Sequence, residues 1–117
     1  MRRWLWLVAV LVLAFGMVSD AATWKRFETI TVADTAIGIT STVHTPLGIP
    51  QMKACQLRVE GAEIRIRWDG TNPTASVGIP VEVLEIVTLT SHADISQLKM
   101  IRTTATSATV SVMCWTD

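Results

Sequence analysis

Hydrophobic and polar residues alternate most clearly between positions 62 and 68. The even-numbered positions of this segment are apolar, from Ala62 to Trp68, whereas the odd-numbered positions are charged. Successive side chains of a strand point to opposite faces, so this period of two predicts a half-buried β-strand. Residues 54–60 alternate in the same way, and Gly61 lies between the two segments. The pattern therefore predicts a β-hairpin over residues 54–68, with Arg58 and Glu60 close to Glu63 and Arg65.

Other short segments rich in Val, Ile and Thr are also typical of strands, because these side chains suit a pleated surface. They comprise residues 27–32, 36–43, 85–90, 98–103 and 108–115. Residues 44–51 and 69–73 contain amino acids typical of loops and turns, such as Pro and Gly, so loops are predicted there. One helical turn is predicted over residues 92–97, capped by Ser91 or Asp94. The sequence thus predicts an all-β fold, a small antiparallel β-sandwich or jelly roll of about seven or eight short strands.

The N-terminal segment has a different pattern. Arg2 and Arg3 precede an apolar run over residues 4–18, and the small residues Ser19 and Ala21 follow it. The run is shorter than the roughly 20 residues that a membrane-spanning helix needs. The order therefore predicts a hydrophobic leader helix, a signal peptide over residues 1–21, before a single β-sandwich domain over residues 22–117. A retained hydrophobic anchor and a protein that begins at Met17 are the alternatives.

Composition and charge narrow the function classes. The chain has 117 residues, of which 50% are hydrophobic and 17% charged, and this argues for a folded chain rather than a disordered one. Ten basic residues balance ten acidic residues. A nucleic-acid partner is therefore not expected, since such proteins concentrate positive charge to meet phosphates.

The two cysteines, Cys55 and Cys114, allow only one intramolecular pairing. Both lie on the apolar side of their predicted strands, so they are candidates for a disulfide if the chain reaches an oxidising compartment. Two buried free thiols are the alternative, because unpaired cysteine is common in protein cores.

No catalytic, metal or cofactor site is recognisable. His44 and His92 are interpreted as loop histidines, since neither is flanked by ligands at metal-binding spacing. The sequence also has no nucleophile motif and no glycine-rich phosphate loop. We therefore expect no enzyme and no cofactor.

Met113 and Trp115 are the candidate interface residues. They lie on the side of the last predicted strand opposite Val110, Val112 and Cys114. If that second side is exposed, its apolar residues mark a contact surface for a partner. Trp68, by contrast, shares a side with Ile64 and Ile66 and is expected in the core.

Residues 29–115 resemble a group of small bacteriophage virion proteins and their prophage copies. The resemblance is carried mainly by residues 64–75, 85–89, 98–103 and 108–110, and by residues 31–39. It does not include the leader or the two cysteines. The resemblance implies a β-rich, non-enzymatic subunit of the particle, such as a head decoration, spike or connector-associated protein.

Two functions follow as expectations. The first is a structural virion subunit that forms homo-oligomers or binds a capsid or tail protein. The second is a secreted or surface-anchored binding module, with carbohydrate as its ligand, which contacts a membrane only through residues 1–21 if they are uncleaved. Exposed strand edges favour association in either case.

Overall fold

The structure is a computed structural model that describes residues 23–117. The predicted leader, residues 1–21, lies outside the described residues. Within residues 23–117, no helix is long and apolar enough to cross a membrane.

The described chain is built mainly of strands, with two short helices. In chain order the elements are β1 (Lys25–Val32), α1 (Ser41–His44), β2 (Ala54–Glu60), β3 (Ile64–Arg67), β4 (Ile79–Val81), β5 (Ile86–Leu89), α2 (His92–Gln97), β6 (Lys99–Arg102) and β7 (Ala108–Trp115). The expected all-β class is confirmed, and the seven strands agree with the predicted number.

The strands form two antiparallel sheets. One has four strands in the order β1-β7-β2-β5, and the other has three strands in the order β4-β3-β6. This arrangement is compatible with a small β-sandwich. β7 is the last strand in the chain, yet it lies inside the larger sheet, between β1 and β2.

Buried side chains from both sheets form one hydrophobic core. The larger sheet contributes alternate residues such as Leu57, Val59, Val110 and Val112, and the smaller sheet contributes residues such as Ile64. Trp68 packs against this core while remaining half-buried, as expected from its position on the apolar side of β3. The period of two therefore identified the core-facing residues of these strands correctly.

The predicted hairpin over residues 54–68 is wrong. β2 pairs with β7 and β5, whereas β3 pairs with β4 and β6 in the other sheet. Gly61, whose φ is +86°, forms the turn that carries the chain from one sheet to the other.

The opposite charges predicted to face each other across that hairpin are therefore separated. Arg58 lies opposite Ser111 and Ile86. Arg65 instead lies opposite neighbours of the smaller sheet and donates from Nη1 to the carbonyl of Gly78 at 2.8 Å.

The segment over residues 36–43 does not form the expected strand. Only Ile37 takes part in a β-bridge, exchanging two backbone hydrogen bonds with Met100 of 2.8 and 2.9 Å. Gly38 follows, and a Cβ there would lie 2.5 Å from the carbonyl oxygen of Leu98, so the chain approaches β6 too closely for a side chain. The chain then turns into α1.

β4 and α2 are the two remaining short elements. β4 was not predicted, and it contains Pro80, which lacks the N–H of a full ladder and is tolerated because β4 is an edge strand. The helical turn over residues 92–97 is confirmed as α2. Its cap is Ser91, whose Oγ accepts a hydrogen bond from the backbone N–H of Asp94 at 3.2 Å.

Leu84 provides a test of backbone strain. Its φ is +72°, and its side chain is 59% exposed. A side chain in the left-handed region costs about 1 kcal/mol relative to glycine. We expect Leu84→Gly to leave the free energy of unfolding unchanged or to raise it by up to about 1 kcal/mol, measured by urea denaturation.

Gly70 is the matched control for this substitution. Its φ is +86°, and apart from Gly70 and its two chain neighbours no heavy atom lies within 4 Å of the position that a Cβ would take. Gly70→Ala should therefore lower the free energy of unfolding by about 1 kcal/mol through the backbone alone. Destabilisation of the Leu84→Gly variant to the same extent would contradict the assignment of strain.

Candidate association surface

β7 presents different residues to its two sides. Val110, Val112 and Cys114 are fully buried in the core, whereas Met113 on the outer side is 40% exposed and Trp115 is half-buried. The sequence predicted a contact surface on this side if the side is exposed, and Met113 is exposed. β7 is central in its hydrogen bonding and still exposes its outer side, because backbone pairing and face burial are independent properties of a strand.

Two other strands add apolar side chains on the side of Met113. In the antiparallel register, Phe27 of β1 is the direct partner of Met113, and Phe27 is 60% exposed. Ile86 of β5 is 56% exposed on the same side, beyond Gln56 and Arg58 of the intervening strand β2. We call Phe27, Ile86, Met113 and Trp115 the outer patch.

Met113 borders two shallow depressions of the outer side. One is also lined by Phe27, Arg58 and Ile86. The other is also lined by Lys25, Trp115 and Asp117. Apolar side chains bordered by charged ones resemble the core and rim of a protein interface.

The structure therefore adds Phe27 and Ile86 to the two residues that the sequence singled out. Phe27 stands on the otherwise polar side of β1, with Lys25, Thr29 and Thr31, and this is a signal that the sequence carries. Its proximity to Met113 depends on the pairing of β1 with β7, which local alternation does not specify.

Cys55 and Cys114 lie directly opposite each other on β2 and β7, and their side chains face the core. The structure joins them by a disulfide bond, with the two Cα atoms 4.0 Å apart. The bond links the two central strands of the larger sheet on the side opposite the outer patch.

His44 and His92, expected as separate loop histidines, lie at helix ends and close together. His44 is the last residue of α1 and His92 is the first residue of α2. Their ring centroids are 5.7 Å apart in an edge-to-face arrangement. Thr45 lies beside both, with its Oγ1 2.8 Å from Nδ1 of His44 and 3.5 Å from Nε2 of His92.

Burial and charge act on His44 together. Partial burial, followed by the proximity of His92, lowers the pKa of His44 below its ordinary value of 6.5, and Glu28 opposes this shift. Within the part of the chain that the structure describes, no group of three or more His, Cys, Asp or Glu side chains is arranged to hold a metal ion.

A separate open groove of about 410 Å³ borders Trp68. Its wall includes Arg67 and Asp69, which form an ion pair with a second hydrogen bond from Nε of Arg67 to Oδ1 of Asp69 at 3.1 Å. Hydrogen bonding from Arg67 lowers the pKa of Asp69 below its ordinary range. An aromatic wall beside fixed polar groups can accommodate a flat, hydroxylated ligand such as a sugar ring.

Comparisons with protein-family models, with curated proteins and with solved structures find no match to this chain.

The contribution of the disulfide to stability follows from the length of chain it closes. The two cysteines are 59 residues apart, for which loop-closure entropy gives about 4 kcal/mol of stabilisation. We expect reduction of Cys55 and Cys114 to lower the free energy of unfolding by roughly that amount. Thiol titration of the unfolded, unreduced protein should find no free thiol, and two reactive thiols would contradict the bond.

His44 predicts a pH dependence of stability. The unfolded chain binds a proton near pH 6.5, whereas the folded chain binds it only at lower pH because the pKa of His44 is lowered. The free energy of unfolding should therefore fall as the pH decreases through about 6.5. Denaturation midpoints between pH 7.5 and about 5.5 measure this slope.

His44→Gln is the variant that isolates the effect. It keeps a polar side chain at the end of α1 but removes the titrating group, so the slope near pH 6.5 should become shallower. An unchanged slope would show that His44 does not cause it.

Proposed function

We propose that the chain is a small β-sandwich or jelly-roll protein that acts as a non-enzymatic structural subunit of a phage particle. It works by protein–protein association, either with itself or with a capsid or tail protein. The observation that carries the proposal is the outer patch on the larger sheet.

The outer patch supports association because of its position. Its side chains come from three strands, β1, β7 and β5, and the backbone pairing holds these strands in a fixed register. Phe27 and Met113 are direct cross-strand partners and both remain exposed. Large aromatic and Met side chains are enriched where proteins bind each other, since each removes a large apolar area from water on binding.

The disulfide supports the same role. By linking β2 to β7 on the core side, it holds together the strands beneath the outer patch. A surface that is already rigid loses less conformational freedom on binding. The resemblance of residues 29–115 to small virion proteins supports a particle as the place where this association occurs.

The groove at Trp68 favours a second candidate function. In this alternative the chain is a secreted or surface-anchored binding module, and the groove takes a carbohydrate between Trp68 and the Arg67–Asp69 pair. The two candidates use different surfaces of the molecule, so one experiment can separate them.

Quantitative mass spectrometry of virus particles purified from the host tests the first function. We expect the chain in a fixed ratio to the capsid protein. Met113→Lys should reduce its incorporation about tenfold, because a charge in the apolar part of an interface loses its hydration on binding. Its thermal midpoint should stay close to that of the unaltered chain, since Met113 is already 40% exposed.

Thr109→Lys is the matched control. Thr109 lies on the same strand and the same side as Met113, outside the outer patch. This variant should be incorporated normally. Absence of the chain from particles, combined with binding of a polysaccharide that Trp68→Ala abolishes, would reject the first function in favour of the second.

A further inference from the structure

β1 is an edge strand of the larger sheet, and its outer edge has a regular row of backbone N–H and C=O groups. β1 has eight residues and pairs with β7 in an unbroken register, without a bulge or a proline. Thr116 donates its N–H to the carbonyl of Trp24 at 3.0 Å, so the even-numbered residues point their backbone groups toward β7. The odd-numbered residues from Lys25 to Thr31 therefore point theirs away from the sheet.

No backbone group among residues 23–117 pairs with this outward row, although Nη1 of Arg26 donates to the carbonyl of its neighbour Lys25 at 3.3 Å. Backbone hydrogen bonds outside the regular strand pairs involve none of Lys25, Phe27, Thr29 or Thr31. The opposite edge of the sheet is β5, which has only four residues. β1 is therefore the longer of the two edges on which another strand can be added.

We propose that β1 pairs antiparallel with β1 of a second copy of this chain, in the register centred on Phe27. The two four-stranded sheets then become one sheet that crosses a two-fold axis. This inference rests on the proposed function, in which the chain acts by association, and it identifies one partner as the chain itself.

Four registers pair five or more of the eight residues of β1 with their counterparts in the second copy. The outward-pointing, odd-numbered residues of the two copies must face each other, so the axis passes at Phe27, at Glu28, at Thr29 or at Ile30. The charges of β1 distinguish among these registers.

Only the register centred on Phe27 is complementary in charge. It places Arg26 opposite Glu28 of the second copy, and symmetry repeats this pair. A register centred on Glu28 would oppose two like carboxylates at the closest approach of the strands, which is destabilising. A register centred on Thr29 would leave Arg26 and Glu28 opposite aliphatic residues, Val32 and Ile30. A register centred on Ile30 would place Glu28 opposite Val32 and leave Arg26 beyond the paired residues.

The side chains around the axis suit this register on both sides of the sheet. On the inner side, Thr40 donates its backbone N–H to Oε2 of Glu28 at 3.1 Å and its hydroxyl to Oε1. The carboxylate is thereby held in place and retains acceptor capacity for an arginine. On the outer side, Phe27 meets Phe27 of the second copy, so the two outer patches become continuous.

Charge reversal in separate chains tests the register. Arg26→Glu creates two Glu–Glu contacts in its own dimer, and Glu28→Arg creates two Arg–Arg contacts. Sedimentation equilibrium of the purified chain should therefore show dimerisation weakened about tenfold or more in each variant. An equimolar mixture should recover dimers, because a pair of unlike variants restores both attractive contacts.

Matched controls address folding and position. Lys53→Glu and Glu85→Arg make the same charge changes at exposed sites away from β1 and should dimerise normally. Thr29→Pro removes an outward N–H and no hydrogen bond to β7, so it should abolish dimers while the thermal transition remains cooperative.

The remaining outcomes separate this inference from the proposed function. Weakening by Glu28→Arg alone, with no recovery in the mixture, would overturn the register centred on Phe27. A monomeric chain that still enters particles, and does so less when Met113 is replaced by Lys, would overturn self-pairing and leave the proposed function standing. Normal incorporation of Met113→Lys would count against the outer patch itself.

Discussion

The pairing of β7 with both β1 and β2 is the constraint on which the larger sheet depends. Those two strands do not contact each other in the ladder, so β7 alone connects them. Its inner residues build the core with Val110 and Val112, and its outer residues display Met113 and Trp115. The core and the candidate association surface are therefore two sides of one strand, and the disulfide at Cys114 fixes that strand to β2.

Local alternation predicted much of the fold but not the pairing of strands. It identified the core-facing residues of β2, β3 and β7, because the side-chain period of a strand is a property of the strand itself. It failed at the supposed hairpin of residues 54–68, since a half-buried strand has the same pattern whichever sheet it joins. The same limit explains residues 36–43, where apolar residues indicated a strand although Gly38 packs against the carbonyl of Leu98.

The sequence likewise predicted only part of the candidate association surface. Met113 and Trp115 were recognisable because they are apolar residues on the second side of a strand whose first side is also apolar. Phe27 and Ile86 required the register across all four strands of the larger sheet, which depends on contacts distant in sequence. The approach of His44 to His92 was also beyond local reasoning, since two separate helical turns bring these rings within 5.7 Å of each other.

The order of strands along the chain has a consequence for how the molecule folds. β1 and β2 are synthesised well before residues 108–115, yet neither has its main partner until those residues emerge. The larger sheet therefore closes last and through contacts between distant residues, which makes folding slow relative to helical proteins of similar size. During that interval β1 has no strand partner and β2 can pair only with the shorter strand β5, so both have backbone groups that are open to wrong partners. The yield of correctly folded chain therefore depends partly on how quickly β7 inserts between β1 and β2.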